Sequence, residues 1–133
     1  MKVISTGLAC LLSLPGFAQQ KEPLFTLMND RQTGIHYLNK IEEDDSLNIF
    51  RYEYLYNGAG VGIADFNGDG LNDIFFSGNT GHYKLFLNKG NFTFEDVTDK
   101  AHIAGNGTWA TGVSIADVNG DGLMDIYVCH GGK

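Results

Sequence analysis

Two short loops carry oxygen side chains whose spacing suits the binding of a hard cation. The first loop spans residues 65–73, and the second loop spans residues 117–125. Each has Asp, Asn, Asp and Asp at its positions 1, 3, 5 and 9, with Gly at positions 4 and 6. Alternate residues of a tight loop can converge on one point, and Ca²⁺ takes about six to eight oxygen ligands. The predicted ligands of two Ca²⁺ ions, with each leucine acting through its carbonyl, are Asp65, Asn67, Asp69, Leu71 and Asp73, then Asp117, Asn119, Asp121, Leu123 and Asp125.

The two loops differ from an EF-hand, although their first six positions have the same residue types. An EF-hand ends with a bidentate Glu at position 12 and lies between two helices. Position 12 is Phe76 in the first loop and Val128 in the second, and the flanks are strand-like. We therefore expect position 9 to complete each site within a strand–loop–strand unit. The alternative is an Asn-Gly or Asp-Gly hairpin turn without a metal, which needs only the glycines.

The glycines and the leucine of each loop have expected roles of their own. Glycine adopts the left-handed dihedrals that wrap a backbone around an ion. At position 7, the carbonyl of Leu71 or Leu123 can turn towards the ion. We expect the leucine side chain then to pack into the protein.

The composition indicates an acidic chain of single-domain length. The sequence has 133 residues, with 16 Asp and Glu against 9 Lys and Arg, and its formal charge is −7. Negative charge repels phosphate backbones and anionic lipid surfaces, so we expect no nucleic acid or anionic membrane as a partner. Part of the charge lies in the two loops, where bound cations would offset it.

Residues 1–18 have the features of a secretory signal peptide. Lys2 supplies the charged start, the following apolar run is too short to span a bilayer, and small residues precede a cleavage site after Ala18. We expect a secreted or cell-surface protein, located in the periplasm or at the outer-membrane face if the source is bacterial. A lipid anchor at Cys10 and an uncleaved apolar strand or helix are the alternatives.

After cleavage Cys129 would be the one remaining cysteine, so no internal disulfide is expected. The predicted role of Cys129 is that of a small buried hydrophobic residue.

The stretch before the loops is predicted to be strand-rich. Residues 19–56 contain short strand patterns at 24–27 and 34–38, an acidic loop at 41–48, and alternating aromatic residues at 50–56. Such alternation is typical of a strand with one buried face. The tyrosines of this strand could line a sugar-binding surface or pack in a core or interface. Apart from the signal segment, no stretch has a convincing helical period.

The rest of the chain contains an internal repeat. Residues 60–74 and 112–126 are identical at 12 of 15 positions, at an offset of 52. Further strand patterns at 83–87 and 92–97 flank a turn at 88–91. Four antiparallel strands in one repeat are the content of one propeller blade. We therefore predict an all-β fold, a partial β-propeller of about one and a half four-stranded antiparallel blades after a signal peptide.

The repeated units, residues 60–74 and 112–126, resemble FG-GAP/VCBS repeats, which build the calcium-binding blades of integrin-α-like β-propellers. Residues 85–90 and 94–98 resemble the outer-strand pattern of the same family. The lead-in at 33–45 resembles secreted bacterial proteins that carry an ASPIC/UnbV segment. The resemblance implies structural calcium and a role in adhesion, glycan binding or scaffolding.

This resemblance suggests a division of the chain. A signal peptide at 1–18 and a lead-in at 19–56 would precede the repeats, with one blade at 57–107 and a partial blade at 108–133. A closed ring needs at least four blades, or about 208 residues at this repeat length. We therefore expect an N-terminal piece of a longer protein, with the remaining propeller blades as its partners.

No catalytic set is visible in the sequence. The four histidines lie in unrelated contexts, and neither a nucleophile elbow nor a phosphate-binding loop occurs. We expect a secreted, non-enzymatic calcium-binding repeat protein for extracellular adhesion or recognition, with an extracellular protein or glycan as its partner. The alternatives are a non-catalytic part of a polysaccharide-degrading enzyme and a scaffold of a cell-surface assembly. Trp109 is expected to pack between blades, with ligand stacking as the alternative.

Overall fold

A computed structural model describes residues 23–103, 105 and 107–131. The predicted signal peptide at 1–18 lies outside these residues. In the described part of the chain, no helix is long and apolar enough to cross a bilayer. The regular elements are one short helix and six strands: α1 (Asp30–Thr33), β1 (Val61–Ala64), β2 (Asp73–Phe76), β3 (Lys84–Asn88), β4 (Phe94–Asp96), β5 (Ala110–Ala116) and β6 (Asp125–His130).

The strands form two antiparallel sheets. Strands β1 to β4 make a four-stranded sheet in which each strand pairs with its neighbour in the sequence. Strands β5 and β6 make a two-stranded sheet. The predicted all-β architecture is therefore confirmed, with one four-stranded blade followed by two strands of a second. The boundary between residues 107 and 108 stays a prediction.

The two sheets meet along their first strands, β1 and β5. Two glycines permit this close approach. A Cβ on Gly60 would lie 2.5 Å from the backbone nitrogen of Val113, and a Cβ on Gly62 would lie 2.7 Å from Cδ1 of Ile115. Real Cβ atoms do not approach other heavy atoms this closely, so a side chain at Gly60 would push the two sheets apart, whereas one at Gly62 would displace the side chain of Ile115.

The core lies within the first sheet and at its junction with the second. Phe75, Leu85 and Val97 form its buried cluster, and hydrophobic side chains of β5 and β6 pack against it. Side chains alternate along β2, so Asp73 and Phe75 are buried while Ile74 and Phe76 are only partly buried. The same alternation that builds the core therefore carries the last predicted metal ligand of the first loop into the interior.

The lead-in packs on the first sheet, but it contains none of its predicted strands. Residues 24–27 and 34–38 form no strand, and α1 separates them. The helix begins at a capping box, in which Asn29 Oδ1 accepts from the Gln32 backbone N–H at 2.8 Å. It ends at Gly34, which has a φ of 76°. These local bonds satisfy the backbone groups of residues 29–34, and in the described chain residues 24–27 and 34–38 pair with no strand.

The predicted aromatic strand at 50–56 is also wrong, because this segment forms turns. Asn48 directs the chain here. Its Oδ1 accepts from the backbone N–H groups of Phe50 and Arg51, at 3.1 and 3.2 Å. Its carbonyl also accepts from the N–H groups of Arg51 and Tyr52. A side chain that bonds the following backbone favours a turn over a strand, and the turn still buries Leu55 completely.

The prediction that Cys129 is buried is wrong as well, because Cys129 is exposed. Tyr127 and Cys129 share the outer face of β6, and 65% of Tyr127 is exposed. Ile126 and Val128 share the opposite face and pack against the core cluster. The strand itself was predicted correctly, but the sequence did not show which of its faces is covered.

Candidate metal centre

Both predicted loops connect the first two strands of a sheet. The first loop joins β1 to β2, and the second joins β5 to β6. Position 9, Asp73 or Asp125, is the first residue of the strand that follows. The strand–loop–strand unit expected from the sequence is therefore present twice, with position 9 held by a sheet ladder and positions 1–6 in the loop.

Asp65 organises the first loop by accepting three backbone hydrogen bonds. Its Oδ1 accepts from the N–H groups of Gly68 and Asp69 at 2.7 and 3.1 Å, and its Oδ2 accepts from Gly70 at 2.8 Å. Gly68 and Gly70 have φ values of 75° and 85°, which are strained for other residues. The bond from Gly70 is the main reason that the pKa of Asp65 lies below its ordinary value. The carboxylate is therefore charged at neutral pH and surrounded by inward-turned N–H groups.

Asn67 and Asp69 lie directly against each other in the same loop. Asn67 Oδ1 accepts from the Asp69 backbone N–H at 2.9 Å, and Asn67 Nδ2 donates to Asp69 Oδ2 at 2.9 Å. Asp69 Oδ1 accepts from the Leu71 N–H at 2.9 Å. Together with the bond from the Asp69 N–H to Asp65, these contacts bring the side chains at positions 1, 3 and 5 into one cluster.

Asp73 fastens the loop to the sheet. Its side chain is fully buried. Oδ2 accepts from the backbone N–H of Phe66 at 2.9 Å, which closes the loop across its two ends. Oδ1 accepts from the backbone N–H of Asn88 at 2.8 Å, which connects the loop to the end of β3. A buried carboxylate without such partners would be strongly destabilising, and Asp73 has a partner on each oxygen.

Asn88 supports the first loop, and sequence reasoning missed this residue. Its Nδ2 donates to the carbonyl of Asn72 at 2.9 Å, so both the backbone and the side chain of Asn88 support the loop. Its Oδ1 accepts from the Gly90 N–H at 2.8 Å. The turn at 88–91 explains the bond to Gly90, but nothing in that pattern indicates a contact with a loop 15 residues away.

The second loop repeats the network of the first. Asp117 Oδ1 accepts from the N–H groups of Gly120 and Asp121 at 2.6 and 3.1 Å, and Oδ2 accepts from Gly122 at 2.8 Å. Asn119 and Asp121 make the same pair of bonds, at 2.9 and 3.0 Å. The pKa of Asp117 also lies below its ordinary value, chiefly through the N–H of Gly122. The two loops share seven of nine residues, and positions 1 to 6 have the same hydrogen-bond network in both.

The loops differ at position 9. Asp125 Oδ2 accepts from the Val118 N–H at 3.0 Å, as Asp73 does from Phe66. Asp125 is only partly buried, and within the described residues no donor like Asn88 reaches its other oxygen. This second anchor exists in the first loop because β3 lies beside β2, whereas β6 pairs only with β5 in the described chain.

The donor chemistry of each loop fits a hard cation, because every side-chain ligand offers oxygen and three of the four are carboxylates. The carboxylates are turned towards backbone N–H groups, however. In the part of the chain that the structure describes, no group of three or more His, Cys, Asp or Glu side chains could hold a metal ion as it stands. The predicted ligand sets would therefore require the side chains at positions 1, 3 and 5 to rearrange.

The leucines at position 7 do not pack into the protein, contrary to expectation. Leu71 is 38% exposed and Leu123 is 61% exposed. In the first loop, Phe66 at position 2 packs against the core cluster, so the contact expected of the leucine is made by its neighbour in the loop. The predicted role of the leucine carbonyls as ligands is separate from this result and stays a prediction.

Comparison with known proteins identifies the repeated region. The model of the FG-GAP-like repeat family matches residues 65–128, which include both loops and strands β2 to β5. Residues 65–128 belong to the FG-GAP-like repeat family. The predicted FG-GAP family is thereby confirmed, and both loops lie within the matched residues.

Three curated relatives are similar to this chain. Cartilage acidic protein 1 of Xenopus tropicalis is 30% identical over 93 residues, which are 70% of this chain and 14% of the relative. Cartilage acidic protein 1 of Mus musculus is 36% identical over 69 residues, 52% of this chain and 11% of the relative. Integrin alpha-PS5 of Drosophila melanogaster is 32% identical over 94 residues, 62% of this chain and 9% of the relative. The chain thus spans about a seventh or less of each relative's length.

Proposed function

We propose that this chain is part of an extracellular recognition protein and that its FG-GAP-like loops bind Ca²⁺ as structural ions. The observation that carries the proposal is the repeated network in which three oxygen side chains gather around inward-turned N–H groups. A hairpin turn without a metal needs only its glycines. Such a turn would not require the same carboxylates at positions 1, 5 and 9 of both loops.

The residues proposed to hold the ions are those predicted from the sequence. Side-chain oxygens would come from positions 1, 3, 5 and 9 of each loop, and a carbonyl oxygen from position 7. The residues of the first site are Asp65, Asn67, Asp69, Asp73 and Leu71, and those of the second are Asp117, Asn119, Asp121, Asp125 and Leu123. A bound ion would supply positive charge that offsets the three carboxylates of each loop. Asp73 would transmit this stabilisation to the sheet, because it belongs to both the loop and β2.

Similarity to an integrin alpha chain and to cartilage acidic protein 1 supports an extracellular role in adhesion or recognition. The signal-like features of residues 1–18 agree with export. FG-GAP-like repeats are in general non-catalytic, which supports a binding role rather than an enzymatic one. An extracellular protein or a glycan is the partner that this role implies.

Calorimetric titration tests the calcium sites. The full chain should bind Ca²⁺ in preference to Mg²⁺, because a flexible loop with many oxygens suits the larger ion. Asp69→Ala and Asp121→Ala should each remove one site, and the double variant should remove both. Asp99→Ala is the matched control, since Asp99 is an exposed acidic residue outside the loops. Absence of calcium binding, or binding unchanged in the double variant, would contradict the proposal.

A further inference from the structure

A cavity lies at the end of the strands opposite to the two loops. The loops follow β1 and β5. The cavity is lined by residues that follow β2, end or follow β6, precede β5, or belong to the turn at 46–52. Because paired strands in both sheets are antiparallel, these two groups of residues lie at opposite ends. The cavity volume is about 780 Å³, within the range of roughly 300–1,000 Å³ that small-molecule sites occupy.

Two aromatic rings form one wall of this cavity. Tyr52 and Trp109 meet edge to face, with ring centroids 5.6 Å apart and an interplanar angle of 82°. The backbone holds Trp109 in place, because its carbonyl accepts from the Gly131 N–H at 2.9 Å and the next residue, Ala110, is fully buried. Aromatic faces carry partial negative charge and attract the C–H groups of a flat apolar surface. The wall therefore suits a ring that presents C–H bonds on one face, as a pyranose does.

Arg51 supplies positive charge at the same cavity. Its guanidinium makes no ion pair or side-chain hydrogen bond within the described residues, and no carboxylate lines the cavity there. Asp44 is close in sequence, but its Oδ1 already accepts from the Ser46 hydroxyl and from two backbone N–H groups. Arg51 therefore brings a positive charge to this cavity, although the formal charge of the whole chain is −7. A guanidinium pairs with a carboxylate or sulfate through two parallel hydrogen bonds.

The other polar groups at the cavity are held in fixed positions. Asn79 is fully buried and donates from Nδ2 to the carbonyls of Gly58 and Ala110. The His130 ring is held by a 2.6 Å hydrogen bond between its Nε2 and the hydroxyl of Tyr83. These bonds keep the base of the cavity rigid, so a ligand would order few groups on binding.

From this arrangement we propose that the cavity binds a saccharide that carries an anionic group, either a carboxylate or a sulfate. The aromatic wall would stack against the sugar ring, and Arg51 would pair with the anionic group. The proposal deepens the recognition role proposed above and rests on that role, but it uses no residue of the two loops.

Fluorescence provides a direct test, because Trp109 is the sole tryptophan of the sequence. Titration of the full chain with digalacturonic acid or glucose 6-sulfate should change the tryptophan emission saturably. The sugar that binds with the higher affinity identifies the anionic group as a carboxylate or a sulfate. The neutral disaccharide cellobiose should bind at least tenfold more weakly. Arg51→Gln should weaken binding of the anionic sugar about tenfold, which is the scale of one charge-assisted pair. Arg31→Gln, the same charge change on the exposed helix α1, should leave binding unchanged.

Three results would overturn the saccharide site. In the first, neither anionic sugar binds, and in the second, cellobiose binds as tightly as the anionic sugars. In the third, adenosine monophosphate, which also combines a ring with an anion, binds more tightly than either anionic sugar. Arg51 is exposed, so Arg51→Gln should fold normally even if a Trp109 variant does not. Repeating the titration with the Asp69→Ala/Asp121→Ala variant in a chelator separates the two proposals. Saccharide binding kept under these conditions supports the cavity site whether or not the loops bind calcium.

Discussion

Asn39 and Asn79 hold each other through two hydrogen bonds. Asn39 Nδ2 donates to Asn79 Oδ1 at 2.6 Å, and the Asn79 backbone N–H donates to Asn39 Oδ1 at 3.0 Å. Asn79 Nδ2 also donates to the carbonyls of Gly58 and Ala110, at 2.8 and 2.9 Å. One fully buried amide therefore joins the lead-in, the approach to β1 and the first residue of β5.

Replacing this amide should destabilise the whole chain. Asn79→Ala leaves the Gly58 and Ala110 carbonyls without their donor, and unsatisfied buried groups cost about 1–3 kcal/mol each. We expect the free energy of unfolding in urea to fall by about 3 kcal/mol. The control is Asn57→Ala, an exposed asparagine, which should change it by less than about 0.5 kcal/mol. Equal effects of the two changes would contradict the role given to Asn79.

The repeat offers a matched pair of glycines for testing the contact between sheets. A Cβ at Gly60 would meet the backbone of Val113, whereas a Cβ at the equivalent Gly112 would meet nothing within 4 Å. Gly60→Ala should therefore lower the free energy of unfolding by about 1–3 kcal/mol, the usual range for overpacking. Gly112→Ala should be neutral or slightly stabilising, because it reduces the freedom of the unfolded chain. Urea unfolding of both variants measures these changes. An unchanged free energy of unfolding in Gly60→Ala would mean that the sheets are not in close contact.

Glu95 gives a pH dependence that is independent of the loops. Its Oε1 accepts from Lys100 Nζ at 2.6 Å and its Oε2 from Lys89 Nζ at 3.1 Å. These lysines, Lys100 foremost, lower the pKa of Glu95 in the folded state. Its stabilising effect should therefore be complete above the unfolded pKa of about 4.3 and be lost as the pH falls through the lower folded pKa.

The measurement for Glu95 is the difference in unfolding free energy between the chain and its Glu95→Gln variant, followed against pH. The difference should favour the unaltered chain near pH 7 and vanish at a pH below the folded pKa. It should also shrink in high salt, because the three side chains are exposed enough to be screened. A difference that stays constant down to pH 2 would show that these ion pairs contribute nothing.

Asn88 distinguishes the two proposed calcium sites. Asn88→Ala removes the bond to the Asn72 carbonyl and keeps the backbone bond to Asp73. Outer groups of this kind typically change metal affinity about tenfold or more. Calorimetry should therefore show weaker calcium binding at the first loop and unchanged binding at the second. An equal change at both loops would point to a general loss of folding instead.

The loops and the strands beside them were predictable because their signals are local. Strand-like apolar runs mark β2 and β6, and the repeated carboxylates and glycines mark the loops between strands. The lead-in was less predictable, because the side chain of Asn48 bonds the backbone of residues 50 and 51 and turns a segment that has the alternation of a strand. The exposed Cys129 shows the remaining difficulty, since a strand pattern does not reveal which face another element covers.

The residues that support the candidate site were the hardest to predict. Asn79 and Asn88 belong to no periodic pattern, and each acts on residues far away in the sequence. Asn79 bonds a partner 40 positions earlier, and Asn88 bonds a carboxylate 15 positions earlier. Contacts of this kind follow from the register of the sheet and the packing of the lead-in, which a single sequence does not specify.

The neighbour-to-neighbour order of the first sheet also determines how the chain can assemble during synthesis. Strands β1 to β4 pair through short connections, so this blade can form as soon as residues 61–96 are available. Asn79 belongs to a later stage, because its bonds reach back 40 residues to Asn39 and forward 31 residues to Ala110. Its amide is satisfied only when the preceding segment has folded back and the next blade has begun. We therefore expect the hydrogen bonds of Asn79 to form only after both neighbouring segments have folded.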